Sequence, residues 1–320
     1  MAKDTRKIYG GLITSYYKCR LKKHFQITKT MNDSLIKVGF IASYDYEYLK
    51  ESIPPTYLSA DKIYIALDKN RKTWSGKSFE IKEDFFLWLT AFDKDKKIEI
   101  YEDDFCVAGI SNMENETRER NLLAKKMGEG GWHIQLDTDE YFVNFKEFTH
   151  FLKNILVQDI YNEPFCVYTQ LVTLYKKTKS GFLYIKSGEV APIATRHPVY
   201  TKARAIDQGV LYTNFEIIHQ SWGREEEEIQ EKLANWGHKE DFDIQSYFNF
   251  WRVCDEYNYK CYNNFNPVDQ RLWKQLELGK AESIQQFISE YNASIDYSFK
   301  YHPLYPKKKT IWAKLKALLK

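Results

Sequence analysis

The stretch GWHIQLDTDEYF, Gly131 to Phe142, ends a short apolar run in three carboxylates, Asp137, Asp139 and Glu140, and then turns aromatic again. On a continuing strand Asp137 and Asp139 point to the same side, about 7 Å apart. At an effective dielectric near 20 their repulsion costs about 2–3 kcal/mol. A divalent cation converts that cost into binding. Hard ions such as Mn2+ and Mg2+ take carboxylate oxygens and keep positions open for phosphate oxygens. The competing reading is a solvated acidic turn after a strand, which an isolated D-x-D does not exclude.

The elements that must position these residues are legible around them. LIKVGFIA (35–42), KIYIALD (62–68), KIEIYED (97–103) and WHIQLD (132–137) read as strands, with crossover-length segments between them. EDFFLWLTAF reads as one crossover helix. Another begins at Ser111, where Glu114 completes a capping box, and stops at Gly128. This βαβ series predicts a mostly parallel sheet covered by helices, with ligands beyond the carboxyl ends of its strands. Ser43 to Tyr46, Asp68 to Arg71, Glu102 to Asp104 and Asp137 to Glu140 would then face one crevice.

After residue 145 the pattern changes. A helix (FKEFTHFLKNILVQ) precedes an antiparallel-looking group: PFCVYTQLVTLYKK, GFLYIK, APIATR and VLYTNFEIIHQSW. Turn signals at Lys179-Ser180-Gly181 and Lys186-Ser187-Gly188 favour hairpins. From 224 onward, REEEEIQEKLANWG, FDIQSYFNFWRVCDEY, QRLWKQLEL and ESIQQFISEY read as helices. The organisation expected is an N-terminal extension (1–30), a nucleotide-binding half (31–145), an acceptor-side portion of the same domain (146–222), a helical region (223–306) and a basic amphipathic tail (307–320).

A chain of 320 residues with 43% hydrophobic and 28% charged residues buries a substantial core. Its 47 basic against 44 acidic residues give no bulk charge for a nucleic-acid partner. Cys19, Cys106, Cys166, Cys254 and Cys261 form no CxxC pair, so a reducing compartment is the default. Neither a signal peptide nor a membrane span is expected.

The segment ETRERNLLAKKMGEGGWHIQLDTDEYF resembles GT-A fold glycosyltransferases of family 2 and related bacterial enzymes, in which an Arg-Asn helix precedes a strand ending in D-x-D. LDTDEYF looks like the D-x-D-E-aromatic variant, VGFIASYDYEYL like the first strand and loop, and IYIALDKNR like the second strand with its nucleotide-facing Asp. The resemblance covers about the first 145 residues. It implies a GT-A-type α/β fold and a metal-dependent transfer of sugar from a nucleotide diphosphate, UDP- or GDP-linked, to a glycan or lipid-linked acceptor. Bacterial surface-polysaccharide assembly at the cytoplasmic side is the implied pathway. Asp137 and Asp139 would hold Mn2+ or Mg2+ on the diphosphate; Asp68, Ser43 and Asp45 would line the nucleotide pocket, with Arg120 directed at it and Arg118 solvated.

A late histidine often joins the metal or phosphate in such enzymes. His219 in NFEIIHQSW is the first choice, ahead of His302 and His238. For the base that takes the acceptor's proton, KED points to Asp241, although this motif usually precedes the histidine; Glu216 and Asp207 stand in reserve, and the ordinary role of Asp241 is a helix cap. Trp222, Trp236 and Trp251 could stack on sugar rings or simply fill the core. In KKKTIWAKLKALLK, an apolar stripe of Ile311, Trp312, Leu315, Leu318 and Leu319 opposes lysines, the pattern of a helix on an anionic membrane surface or of one packed on protein. Two other classes compete. A nucleotidyltransferase shares the sheet and carboxylates, but ASYDYEYL lacks a phosphate-binding glycine. A non-catalytic carbohydrate- or nucleotide-binding protein would keep the fold without turnover.

Overall fold

The computed structural model describes residues 34–155, 164–235, 243–269 and 271–295. Four parallel strands, β1 (Ile36–Ala42), β2 (Lys62–Asp68), β3 (Ile98–Asp103) and β4 (Trp132–Asp137), lie side by side in the order β3-β2-β1-β4. Helices α1 (Leu49–Tyr57), α2 (Glu83–Phe92) and α3 (Asn112–Met127) connect them. Every residue of β1 is buried, as a parallel strand covered on both faces requires. In β4, Trp132, Ile134 and Leu136 join the main core. The alternate residues His133, Gln135 and Asp137 therefore face the other side, where Gln135 donates to the Arg120 carbonyl of α3.

The α3 helix is fixed at both ends. Ser111 and Glu114 form the reciprocal capping box, and Gly128, at φ +73°, ends the helix. Buried Lys37 on β1 donates to the carbonyls of Met127, Gly128 and Glu129 at 2.9, 2.6 and 3.1 Å, meeting the orphan acceptors there. Gly39 allows the close approach. A Cβ there would lie 2.9 Å from Leu123 Cδ2 and 3.0 Å from Met127 Sδ.

The second half extends the same sheet. It comprises β5 (Glu140–Phe142), α4 (Phe145–Asn154), β6 (Phe165–Thr178), β7 (Gly181–Ile185), β8 (Val190–Thr195), a small hairpin β9 (Tyr200–Lys202) and β10 (Ala205–Ile206), and β11 (Gly209–His219). Beyond these lie α5 (Glu226–Asn235), α6 (Ile244–Arg252), β12 (Glu277–Lys280) and α7 (Ile284–Ser294). Antiparallel β8 joins β4 to β6, β11 runs parallel to β6, and β5 pairs antiparallel with β11.

The structure corrects two expectations here. Lys179 and Ser180 turn β6 into β7, but Lys186, Ser187 and Gly188 make no second hairpin: β7 pairs with 173–178 of β6 and β8 with 166–170, so they interrupt one arm alongside the long β6. The segment 271–278 forms no helix. Trp273 and Leu276 anchor it to an aromatic cluster, and β12 then pairs with the edge of β7. Trp222 and Trp251 are 2% and 1% exposed in that cluster, so they fill the core rather than stack on sugars; Trp236 lies outside the described residues. Among the described residues no helix is long and apolar enough to cross a membrane.

Candidate functional site

The strand order reverses between β1 and β4, since β2 and β3 continue on one side of β1 and β4 starts the other. Such a switch point opens a crevice at the strands' carboxyl ends. A cavity of about 350 Å3 lies there. Its lining includes Asp45, Asp137, Asp139, His219, Arg224 and Lys232, and also Asp68, Lys72, Trp74, Met113, Glu116 and Glu119. Ser43 Oγ, also of a lining residue, is buried with no hydrogen-bond partner among the described residues.

The two D-x-D carboxylates do not continue one strand. β4 stops at Asp137, Thr138 and Asp139 turn, and β5 starts at Glu140. Each carboxylate has its own cations. Arg120 Nη2 donates to Asp137 at 2.7 Å, and Arg204 stands 3.8 Å away. Burial alone would raise the Asp137 carboxyl, but Arg120 and Arg204 hold it down to about 2. Asp139 accepts from Arg224 Nη2 at 2.5 Å and from the Ser221 amide at 3.2 Å, with His219 Nε2 at 3.5 Å and Lys232 Nζ at 3.8 Å. Against a burial effect that opposes ionisation, His219, Arg224 and Lys232 keep it far below the usual carboxylate range. Fully buried Glu140 holds Arg204 in a two-point pair at 2.5 and 2.6 Å.

The neighbours tune one another. Burial, followed by the charge of Arg224, lowers the Lys232 ammonium to about 8, and its Nζ donates to the Ser221 carbonyl at 3.1 Å. Arg224 lies over the Tyr48 ring at 4.6 Å. Burial raises Asp45, partly offset by Arg224 at 3.5 Å.

Asp68 lines the cavity, but its oxygens are taken by four backbone amides: Asn70 and Lys72 at 2.9 and 3.0 Å, Phe105 and Cys106 at 2.9 and 3.1 Å. It fixes the loops after β2 and β3. Arg120, 1% exposed, turns to Glu116 and Asp137 and does not line the cavity. Arg118 is not simply solvated, since its guanidinium donates to the Asp104 and Phe105 carbonyls.

Glu216 lies away from the cavity lining, paired with Lys186 at 2.8 Å and accepting from Tyr291 at 3.0 Å. Asp207 is exposed after β10, also outside that lining. Asp241, His238, His302 and the 307–320 tail lie outside the described residues. The expected three-ligand metal set is not assembled: among the described residues no group of three or more His, Cys, Asp or Glu side chains converges to hold a metal ion. Asp139, with a side chain 5% exposed, is sealed by cations, so the donor set as arranged does not fit a direct two-carboxylate chelate.

Sequence reasoning missed Arg204, Arg224, Lys232, Trp74 and Glu119. Their signal was faint. Arg224 closes SWGR, a cation set directly against a buried tryptophan, and Glu119 lies next to Arg120 in ERN.

No protein-family model matches the chain, and no curated protein matches it. Among solved structures the chain is similar to S. aureus TarS residues 1–349, at 12% identity and a TM-score of 0.27, over 43% of this chain. The match spans about a third of that structure's length, 36%.

Proposed function

We propose that the protein is a glycosyltransferase that takes a nucleoside-diphosphate sugar in the cavity at the β1/β4 switch point. The observation that carries this reading is the mixed lining of that cavity. Lys232 and Arg224 bring positive charge to it beside Asp137 and Asp139, while Trp74 and Met113 bring apolar and aromatic surface. A diphosphate suits the first and a base the second.

In the transfer, the bond between the anomeric carbon and the diphosphate oxygen breaks, and the acceptor oxygen bonds to that carbon. Charge builds on the leaving diphosphate, where fixed cations stabilise it. The acceptor's proton passes to a carboxylate. Asp137, held at about 2, is a weak base for that step. Asp241 remains the candidate base, and a glycan or lipid-linked molecule the candidate acceptor.

The test is a thermal-shift panel of UDP-, GDP-, CMP- and dTDP-sugars, each with Mn2+ and with chelator. A ligand of the native state stabilises it by mass action. The expected result is that a nucleoside-diphosphate sugar raises the midpoint and is slowly hydrolysed. Stabilisation by none of the four would overturn the reading.

A further inference from the structure

Resting on the nucleotide-sugar reading, we propose that the Glu119 carboxyl, anchored on the cavity wall by Trp74, reads the donor's base. Its free oxygen donates to a ring carbonyl, so the site takes uracil over cytosine and guanine over adenine. Glu119 projects from α3 with 4% exposure, yet lines the cavity with Trp74 and Met113. One of its oxygens, Oε2, accepts the Trp74 indole N–H at 2.6 Å, which fixes the carboxyl; Oε1 has no hydrogen bond among the described residues. The residue expected to meet the nucleotide, Asp68, has both oxygens occupied by backbone amides.

The groups facing Glu119 decide its charge. Burial keeps it protonated, with Asp68 from β2 and Glu116 from its own helix acting in the same direction; the Trp74 hydrogen bond and Arg120 oppose them, and the result is about 8. Tyr101 of β3 also feels its charge. At neutral pH the carboxyl therefore presents a hydroxyl. A hydroxyl donates to O4 of uracil or O6 of guanine. The amino groups at those positions in cytosine and adenine are themselves donors. A site built around one donor rejects a ligand that leaves it unpaired.

The test compares UDP with CDP and GDP with ADP by calorimetry on the full chain, in Mg2+, at pH 6.5 and 9.5. Phosphate contacts, including any change in Lys232, cancel within each pair; ionisation of the uracil and guanine ring N–H toward the higher pH does not, so the readout is the ratio of affinities in the unsubstituted chain set against the same ratio in Glu119→Gln. Expected at pH 6.5 is about a tenfold preference for UDP and for GDP. At pH 9.5 the carboxylate only accepts, and the preference shrinks or reverses. Glu119→Gln keeps an amide donor in place, so its preference should persist at both pH values. Ratios near one at pH 6.5, or ratios that hold from pH 6.5 to 9.5 in the unsubstituted chain, would overturn the assignment to Glu119 while leaving nucleotide binding in place. Binding of none of the four nucleotides would overturn the nucleotide reading and this inference together.

Discussion

At the scale of single residues, Asp137 and Asp139 look alike in the sequence and differ in the structure. Asp139 is sealed against Arg224, while the Asp137 side chain is 34% exposed. Removing one charge from a buried pair strands the other, at a cost of about 3–5 kcal/mol. The loss of Asp137 strands no buried charge in this way, because Arg120 keeps Glu116 and Arg204 keeps Glu140. Asp139→Asn should therefore destabilise the protein by several kcal/mol in urea denaturation, and Asp137→Asn by much less. Similar midpoints for the two variants would count against the pairing, and so would a stabilised Asp139→Asn. Because the folded state depresses both carboxyls, their stabilisation is fully present above the unfolded value near 4 and is lost as pH falls below it. The sequence located these carboxylates at a strand end but not their partners. Arg224 lies 85 residues from Asp139, and no spacing rule connects them.

At the scale of elements, the crossover half was legible. The β2, β4 and α2 boundaries match their apolar runs, and α3 matches its capping signals, because periodicity and caps act locally. The edges were not. β5 is three residues long and β10 two, held by pairing with distant or neighbouring strands rather than by propensity, and 271–278 mimics helical spacing while its tryptophan and leucine answer to a tertiary cluster. Gly39 ties element to site. Because α3 carries Glu119 and Arg120, a side chain at Gly39 presses on Leu123 and Met127 and shifts that helix against the sheet. Overpacking of this kind costs about 1–3 kcal/mol. Gly39→Val should lower the urea midpoint and also weaken nucleotide affinity measured where the variant is folded. Unchanged affinity would mean that the cavity tolerates displacement of α3.

At the scale of the molecule, one continuous sheet joins a parallel half to a mixed half, and the site draws on both: Asp45 and Asp137 come from the first, His219, Arg224 and Lys232 from the second. The Asp68 carboxylate binds one side of that site into a single unit. It ties the loop after β2, through Asn70 and Lys72, to the loop after β3, through Phe105 and Cys106. The consequence is kinetic. These four amides belong to loops, where backbone hydrogens ordinarily trade with water quickly, but a buried acceptor holds them until the unit opens. In deuterium exchange they should be slow, and slow together. Asp68→Asn replaces one carboxylate oxygen by a donor, so at least one pair of these amides loses its acceptor. That pair should then take up deuterium as fast as free loop, while amides of β1 keep their original rates.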